Sequence, residues 1–239
     1  MVCRFRRWCS SESVMSYLHI LSESDNDDIF YQNCLERLTG RSFQVLTSKR
    51  LRKSGGSAEL RKNLGPFFRT IKYTGEVDDT FFLVVHDNDR SPVHPNHKTR
   101  SDNSKLPKND RSKTCQYCDI QNVVQEVLGV DERQWPIKGA IAVPVEMIES
   151  WQLLICNGWK MGSEQSLPIF SKKTKSGAKF YYGSSNPPDQ LKDLVKKERM
   201  SLNLSPREFC AYCGENLDVN DLRDRSPSFN QFAEQVADW

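Results

Sequence analysis

The chain has 239 residues, of which 37% are hydrophobic and 27% charged, a composition typical of a globular protein that excludes collagen, coiled-coil and porin architectures. Its longest clean apolar runs, residues 81–85 and 140–145, are far shorter than the roughly 18 to 20 residues of a membrane-spanning helix, so we expect no membrane span. The formal net charge of +3 does not by itself select a class of partner.

The cysteines indicate the compartment. Eight are present, four of them in two Cys-x-x-Cys pairs, which favours metal binding in a reducing compartment over a disulfide framework. No apolar stretch suited to a secretory signal follows the arginine-rich first residues, so we expect a cytoplasmic protein. Residues 1–14 have no periodic pattern, and we predict either a disordered tail or a true start at Met15 rather than Met1.

Strand and helix patterns alternate from residue 17 onward. A short strand at residues 17–22 ends in an acidic turn, and an amphipathic helix over residues 29–38 follows. A second strand at 43–46 precedes a helix with apolar residues on one side between 60 and 71, and then comes the apolar strand at 81–85. So continuous an apolar strand is typical of a sheet that helices cover on both faces.

The alternation is interrupted once and then resumes. Residues 91–118 are polar and have no hydrophobic period, which predicts an insertion or mobile loop. A helix from residue 119, a strand at 140–145 and a helix running to residue 155 follow. The order predicts an α/β fold with a mostly parallel sheet flanked by helices, in which ligands bind outside the carboxyl ends of the strands.

The predicted domain covers residues 15–156 and includes residues 91–118 as a basic insertion. Residues 157–239 then form a C-terminal extension, with a short helix near residues 189–199 and an amphipathic helix after Pro227.

Acidic residues follow the first and third predicted strands. Glu23 and Asp27 come after the first strand, and Asp87 and Asp89 come after the third. A parallel sheet would bring these turns side by side, and carboxylates with water and substrate phosphate are the ligands that Mg²⁺ prefers. Two such ions would clamp an in-line phosphoryl displacement. Any one acidic turn more often caps a helix, but two turns in adjacent positions favour a cation site.

Both turns resemble motifs of the TOPRIM family. Residues 20–31, ILSESDNDDIFY, are similar to its opening motif of an apolar strand, a glutamate, an aspartate and a helix with aromatic residues. Residues 82–90, FLVVHDNDR, are similar to its Asp-x-Asp motif. Ser24 stands where the family usually has a glycine. Residues 142–151, AVPVEMIESW, and 225–232, RSPSFNQF, resemble a group of small stand-alone TOPRIM-like proteins.

The resemblance implies an activity. TOPRIM domains occur in topoisomerases, bacterial primases, RNA-maturation nucleases and nucleases of overcoming-lysogenization-defect type, which implies cleavage or joining of phosphodiesters with Mg²⁺ or Mn²⁺. By the family's pattern Glu23 is a ligand or general base, Asp87 and Asp89 are metal ligands, and Glu146 or Glu149 is an additional carboxylate. The stand-alone proteins are often encoded beside an ABC-type ATPase, which implies an ATPase partner and a role in phage defence.

Basic residues cluster in segments that the strand and helix pattern leaves out. Lysine and arginine side chains at such density bind phosphate backbones, although a solvated loop is the commoner role of a basic run. The candidate nucleic-acid-binding residues are Lys98, Arg100, Lys105, Lys108, Arg111, Lys172, Lys173 and Lys175.

The two cysteine pairs, Cys115/Cys118 and Cys210/Cys213, have the same Cys-x-x-Cys form. A four-cysteine site closed between them would hold a structural Zn²⁺ and tie the basic insertion to the C-terminal extension. The histidines His94 and His97 are rival ligands for the first pair, because the spacing from His94 resembles that of a zinc finger.

The sequence therefore predicts a TOPRIM-like, metal-dependent nuclease with a zinc-tethered C-terminal segment, acting on DNA or RNA. The alternative is a non-catalytic nucleic-acid- or partner-binding subunit in which the carboxylates are vestigial and zinc holds an interaction surface.

Overall fold

A computed structural model describes residues 15–46, 57–74, 79–88, 91, 94, 115–129, 135, 137–144, 148–161 and 187–239. Four strands of these residues form one sheet in the order β2-β1-β3-β4, and every neighbouring pair is parallel. The strands are β1 (Met15–Leu21), β2 (Ser42–Val45), β3 (Thr80–Val85) and β4 (Lys138–Ala142). The α/β fold with a parallel sheet flanked by helices, which the sequence predicts, is confirmed.

Helices connect the strands and continue after the last one. The helices of the described residues are α1 (Asp25–Thr39), α2 (Ser57–Thr74), α3 (Gln116–Leu128), α4 (Glu149–Met161), α5 (Pro187–Ser201), α6 (Pro206–Glu215), α7 (Val219–Arg225) and α8 (Pro227–Gln235). The sequence predicts most of these elements to within a few residues. The last strand, Lys138–Ala142, begins and ends earlier than expected, and the helix after it continues past residue 155 to Met161.

The sheet separates two hydrophobic cores. Successive side chains of a strand point to opposite faces, so Phe81, Leu83 and Val85 belong to the first core and Phe82 and Val84 to the second. Right-handed crossovers place α1 on one face and α2 and α3 on the other, because the chain reverses its direction across the sheet after β2. Residues of α4 to α8 return to the first core.

Aromatic side chains fill the centre of the first core. Trp151 is fully buried and stacks on Phe232 at a centroid distance of 5.9 Å, while Tyr31 meets its ring edge-on at 5.7 Å. The indole Nε1–H of Trp151 donates to Ser228 Oγ at 2.8 Å. Trp151 is therefore a core residue and is not exposed for stacking on a base.

The C-terminal helices are part of the domain core. Helix α6 packs along α1, and the approach is so close that a Cβ on Gly214 would lie 2.4 Å from Asn33 Cβ. Phe209, Phe229 and Phe232 all lie in the same core as β1 and β3. The last helices therefore complete one face of the sheet.

Across the part of the chain that the structure describes, no helix has the length and apolar character to cross a membrane.

Candidate functional site

The order of the strands places a crevice between the carboxyl ends of β1 and β3. The chain leaves β1 toward β2 on one side and reaches β3 on the other, and ligands of open α/β sheets bind at such a switch point. The two strands pair in parallel register up to Leu21 and Val84 at these ends. The residues that follow β1 and β3 therefore lie side by side, as the sequence predicts.

A serine shapes the turn after β1. Ser24 is the N-cap of α1, with φ −149° and its side chain accepting a hydrogen bond from the N–H of Asp27. This extended backbone is open to any residue, so the turn does not require the glycine that is usual in the TOPRIM motif. Ser22 Oγ donates to Asp28 Oδ1 at 2.6 Å, which holds the first turn of α1 against the end of the strand.

Glu23 and Asp87 meet at the crevice. The backbone N–H of Asp87 donates to Glu23 Oε1 at 3.4 Å, and Asp87 Oδ1 accepts from the N–H of Ile148 at 3.1 Å. The imidazole of His86, which is fully buried, has its Nδ1 3.7 Å from Glu23 Oε1. Arg61 Nε lies 3.5 Å from the other ring nitrogen of His86. The loop ends of β1, β3 and β4 are thus joined through two carboxylates and one histidine.

Two further acids face the same region. Burial raises the pKa of Asp27 to about 6, and the charge of Glu149 adds to this rise while a hydrogen bond with Ser24 opposes it. Burial also raises the pKa of Glu149, against a lowering by Lys192. Both carboxyl groups therefore bind protons more tightly than exposed acids do, which is the expected result of burial in a poorly solvated place.

Tyr31, on α1, interacts electrostatically with these acids. Its side chain is fully buried, and its hydroxyl has no hydrogen-bond partner among the described residues. Burial raises the pKa of Tyr31 well above its usual value, and the charges of Asp87, Asp27 and Glu149 raise it further.

The carboxylates do not form a closed cage. Among the described residues, the acids are not a compact group in which all ligand atoms lie within 4.8 Å of one another. An open arrangement suits Mg²⁺, which keeps several waters and takes one or two carboxylates with substrate phosphates. The predicted acids Asp89 and Glu146 lie outside the described residues, as do all eight of the predicted nucleic-acid-binding residues.

A second group of ligand-type side chains lies beside the first turn of α3. His94 Nδ1 is 3.5 Å from Cys118 Sγ and 3.9 Å from Cys115 Sγ, and the ligand atoms of these three residues all lie within 4.8 Å of one another. Burial raises the pKa of Cys115 to about 11, so a metal ion would displace protons on binding. This group could hold a metal ion, and it contains the histidine that the sequence offers as a rival ligand.

The predicted four-cysteine site is wrong. Cys115 and Cys118 border the core under α2 and α3, whereas Cys210 and Cys213 lie in the core on the opposite face of the sheet. In addition, Cys210 and Cys213 do not form a zinc-binding turn, because both lie within the regular helix α6. Cys213 Sγ is instead 3.4 Å from Cys156 Sγ, and these thiols pack as small core residues.

Sequence reasoning missed the polar residues that link the two sites. Arg61 Nη2 donates to Gln116 Oε1 at 2.6 Å, and Gln116 Nε2 donates to Ser91 Oγ at 2.7 Å. Gln116 and Ser91 are both at most 2% exposed. The signal in the sequence was slight, since a glutamine between two cysteines is ordinary and Ser91 opens a polar stretch. In the sequence, Tyr31 stands out only as an aromatic residue of the segment 20–31.

Comparisons of the chain with protein-family models, with curated protein sequences and with solved structures found no match.

Proposed function

We propose that the protein is a nuclease of TOPRIM type that uses Mg²⁺ or Mn²⁺ to cleave phosphodiester bonds of DNA or RNA. The activity would take place in the crevice between β1 and β3. An ABC-type ATPase as partner and a role in phage defence extend this proposal and rest on the resemblance of the sequence alone.

The observation that carries the proposal is the meeting of Glu23 and Asp87 at the carboxyl ends of β1 and β3, where the backbone N–H of Asp87 donates to Glu23 Oε1 at 3.4 Å. Burial also raises the pKa values of Asp27 and Glu149, so keeping carboxyl groups ionised in this partly buried crevice costs free energy. A divalent cation would reduce this cost by neutralising the carboxylates.

The positions of the acids match the needs of phosphoryl transfer. Glu23 and Asp87 would hold the ion, and the partly buried acids Asp27 and Glu149 would add negative charge to the same region. An ion in this place would bind a phosphate oxygen of the substrate and lower the pKa of its own water. His86 Nδ1 lies 2.7 Å from the carbonyl oxygen of Asp87, and Arg61 Nε lies 3.5 Å from its other ring nitrogen, so its role would be to position the backbone that carries Asp87.

The proposal includes zinc as the ion of His94, Cys115 and Cys118. Two thiolates and an imidazole are ligands typical of Zn²⁺, whereas Mg²⁺ prefers oxygen. The two metal sites therefore select different ions by ligand type.

The test is a cleavage assay on plasmid, single-stranded DNA and tRNA with Mg²⁺ or Mn²⁺, comparing the wild type with Asp87→Asn. The asparagine keeps an oxygen for the N–H of Ile148 but removes the charge, so the fold should persist. We expect activity to fall at least about 100-fold, since even residues behind the ligands of metal sites contribute 10- to 100-fold. Asp79→Asn is the matched control, because Asp79 lies just before the amino end of β3, paired with Arg41.

Two outcomes of the cleavage assay would contradict the proposal. Equal activity in the wild type and Asp87→Asn would refute the assigned centre. If the wild type binds nucleic acid and no substrate is cut with either metal, with or without an ATPase partner, the non-catalytic binding subunit becomes the better description.

A further inference from the structure

The distances among His94, Cys115 and Cys118 fit one metal ion. Tetrahedral Zn²⁺ has bonds of about 2.3 Å to sulfur and about 2.0 Å to nitrogen, which places a sulfur and a nitrogen ligand roughly 3.5 Å apart. The distance from His94 Nδ1 to Cys118 Sγ, 3.5 Å, matches this value, and the distance to Cys115 Sγ, 3.9 Å, is slightly longer. The side chains are thus already arranged for coordination.

Local structure holds each ligand in place. Cys115 is the N-cap residue of α3, and Cys118 lies within the first turn. The helix N-terminus favours a negative thiolate at these positions. The ring of His94 stacks on Tyr117 with centroids 4.1 Å apart, which fixes the plane of the imidazole.

Buried hydrogen bonds connect this group to the segment after β3. Ser91 accepts from Gln116, and its backbone N–H donates to Asn88 O at 2.7 Å. Asn88 Nδ2 in turn donates to Ser91 O at 2.7 Å. Asn88 directly follows Asp87, so the N-terminus of α3 and the acidic turn are parts of one buried polar network.

We infer that Zn²⁺ bound by His94, Cys115 and Cys118 is a clamp that fixes the segment following β3 and so holds Asp87 at the crevice. Twenty residues separate His94 from Cys115 in the sequence, and ordering the ends of so long a connection costs entropy that metal binding offsets. A second path runs from Gln116 through Arg61 to His86 and Glu23. This inference rests on the proposed function only for the role of the acids.

The first measurement is the metal content and ligand set of the full-length wild type. We expect about one Zn²⁺ per chain, and X-ray absorption should show two sulfur ligands with the rest nitrogen or oxygen. Four sulfur ligands, or a folded protein that contains no zinc and takes up none, would overturn the site.

Variants with a matched control locate the ion. His94→Ala and Cys118→Ser should lose zinc. The double variant Cys210→Ala/Cys213→Ala is the control. It removes a pair with the same spacing on the other face of the sheet, and it should keep its zinc. Zinc lost from the control but retained in His94→Ala would overturn the inference.

Hydrogen exchange of the wild type tests the clamp without any assay of cleavage. Removing zinc with a chelator should speed exchange at the amides of Asp87, Asn88, Ser91 and the first turn of α3, while α6 stays protected. Unchanged exchange at these amides in a zinc-free protein would refute the clamp even if the zinc site itself exists. A protein that shows the exchange response but cuts no nucleic acid would refute the proposed nuclease and leave the clamp standing.

Discussion

Asp27 should make the stability of the protein depend on pH in a way that a single substitution removes. Its pKa rises from an ordinary value of 3.8 to about 6, chiefly through burial. A tenfold change in proton affinity corresponds to about 1.4 kcal/mol, so ionised Asp27 costs the folded state at most about 3 kcal/mol. Because the side chain retains some contact with water, screening reduces this figure, and we expect about 1 to 3 kcal/mol.

The direction of this pH dependence follows from the order in which the folded and unfolded states ionise as the pH rises. Below about pH 4 the carboxyl group is protonated in both states, and the stability that the protonated form contributes is fully present. As the pH rises from about 4 to 6 the unfolded chain ionises first, so this contribution is progressively lost. Asparagine has no such transition. Asp27→Asn should therefore gain about 1 to 3 kcal/mol relative to the wild type between pH 4 and pH 7.

The assay is urea denaturation of both proteins in EDTA-free buffer without divalent metal, at intervals from pH 4 to pH 7.5. Asp25→Asn is the matched control, because Asp25 is exposed in the same turn of α1. A difference in unfolding free energy between the wild type and Asp27→Asn that does not change with pH would refute the reasoning. If the difference in unfolding free energy between the wild type and Asp25→Asn grows with pH in the same way, general charge in the turn is responsible and not the burial of Asp27.

Two further predictions concern packing. Tyr31→Phe removes a hydroxyl that is buried without a hydrogen-bond partner in the described part of the chain, so the metal-free protein should gain about 1 kcal/mol in urea denaturation; a loss of similar size would show that the hydroxyl is bonded. Gly214→Ala places a Cβ 2.4 Å from Asn33 Cβ between α1 and α6, and the overlap should cost about 1 to 3 kcal/mol despite the better helix propensity of alanine. An unchanged midpoint of thermal unfolding in Gly214→Ala would contradict the close packing of these helices.

Most strands of the sheet and their connecting helices can be predicted from the sequence, because the patterns that indicate them are local. The apolar run of β3 and the helical spacing from Leu60 to Ile71 each depend on neighbouring residues only, so pattern suffices to locate the elements. The meeting of Glu23 and Asp87 also follows, because parallel strands end at a common edge. The serine at position 24 acts as an N-cap, a role that its residue type already allows.

Tertiary structure alone decided which ligands stand together. Two Cys-x-x-Cys pairs look alike in sequence, but α3 and α6 lie on opposite faces of the sheet because the chain crosses from β3 to β4 on one side and returns on the other. The sheet therefore separates Cys115 from Cys210, and His94 reaches the first pair instead. Tyr31 is a similar case, since the charges of Asp87 and Glu149, which belong to segments distant from it in the sequence, both raise the pKa of its buried hydroxyl. Spacing along the chain shows which residues are close within one helix or strand, whereas tertiary packing determines which residues of different elements are close.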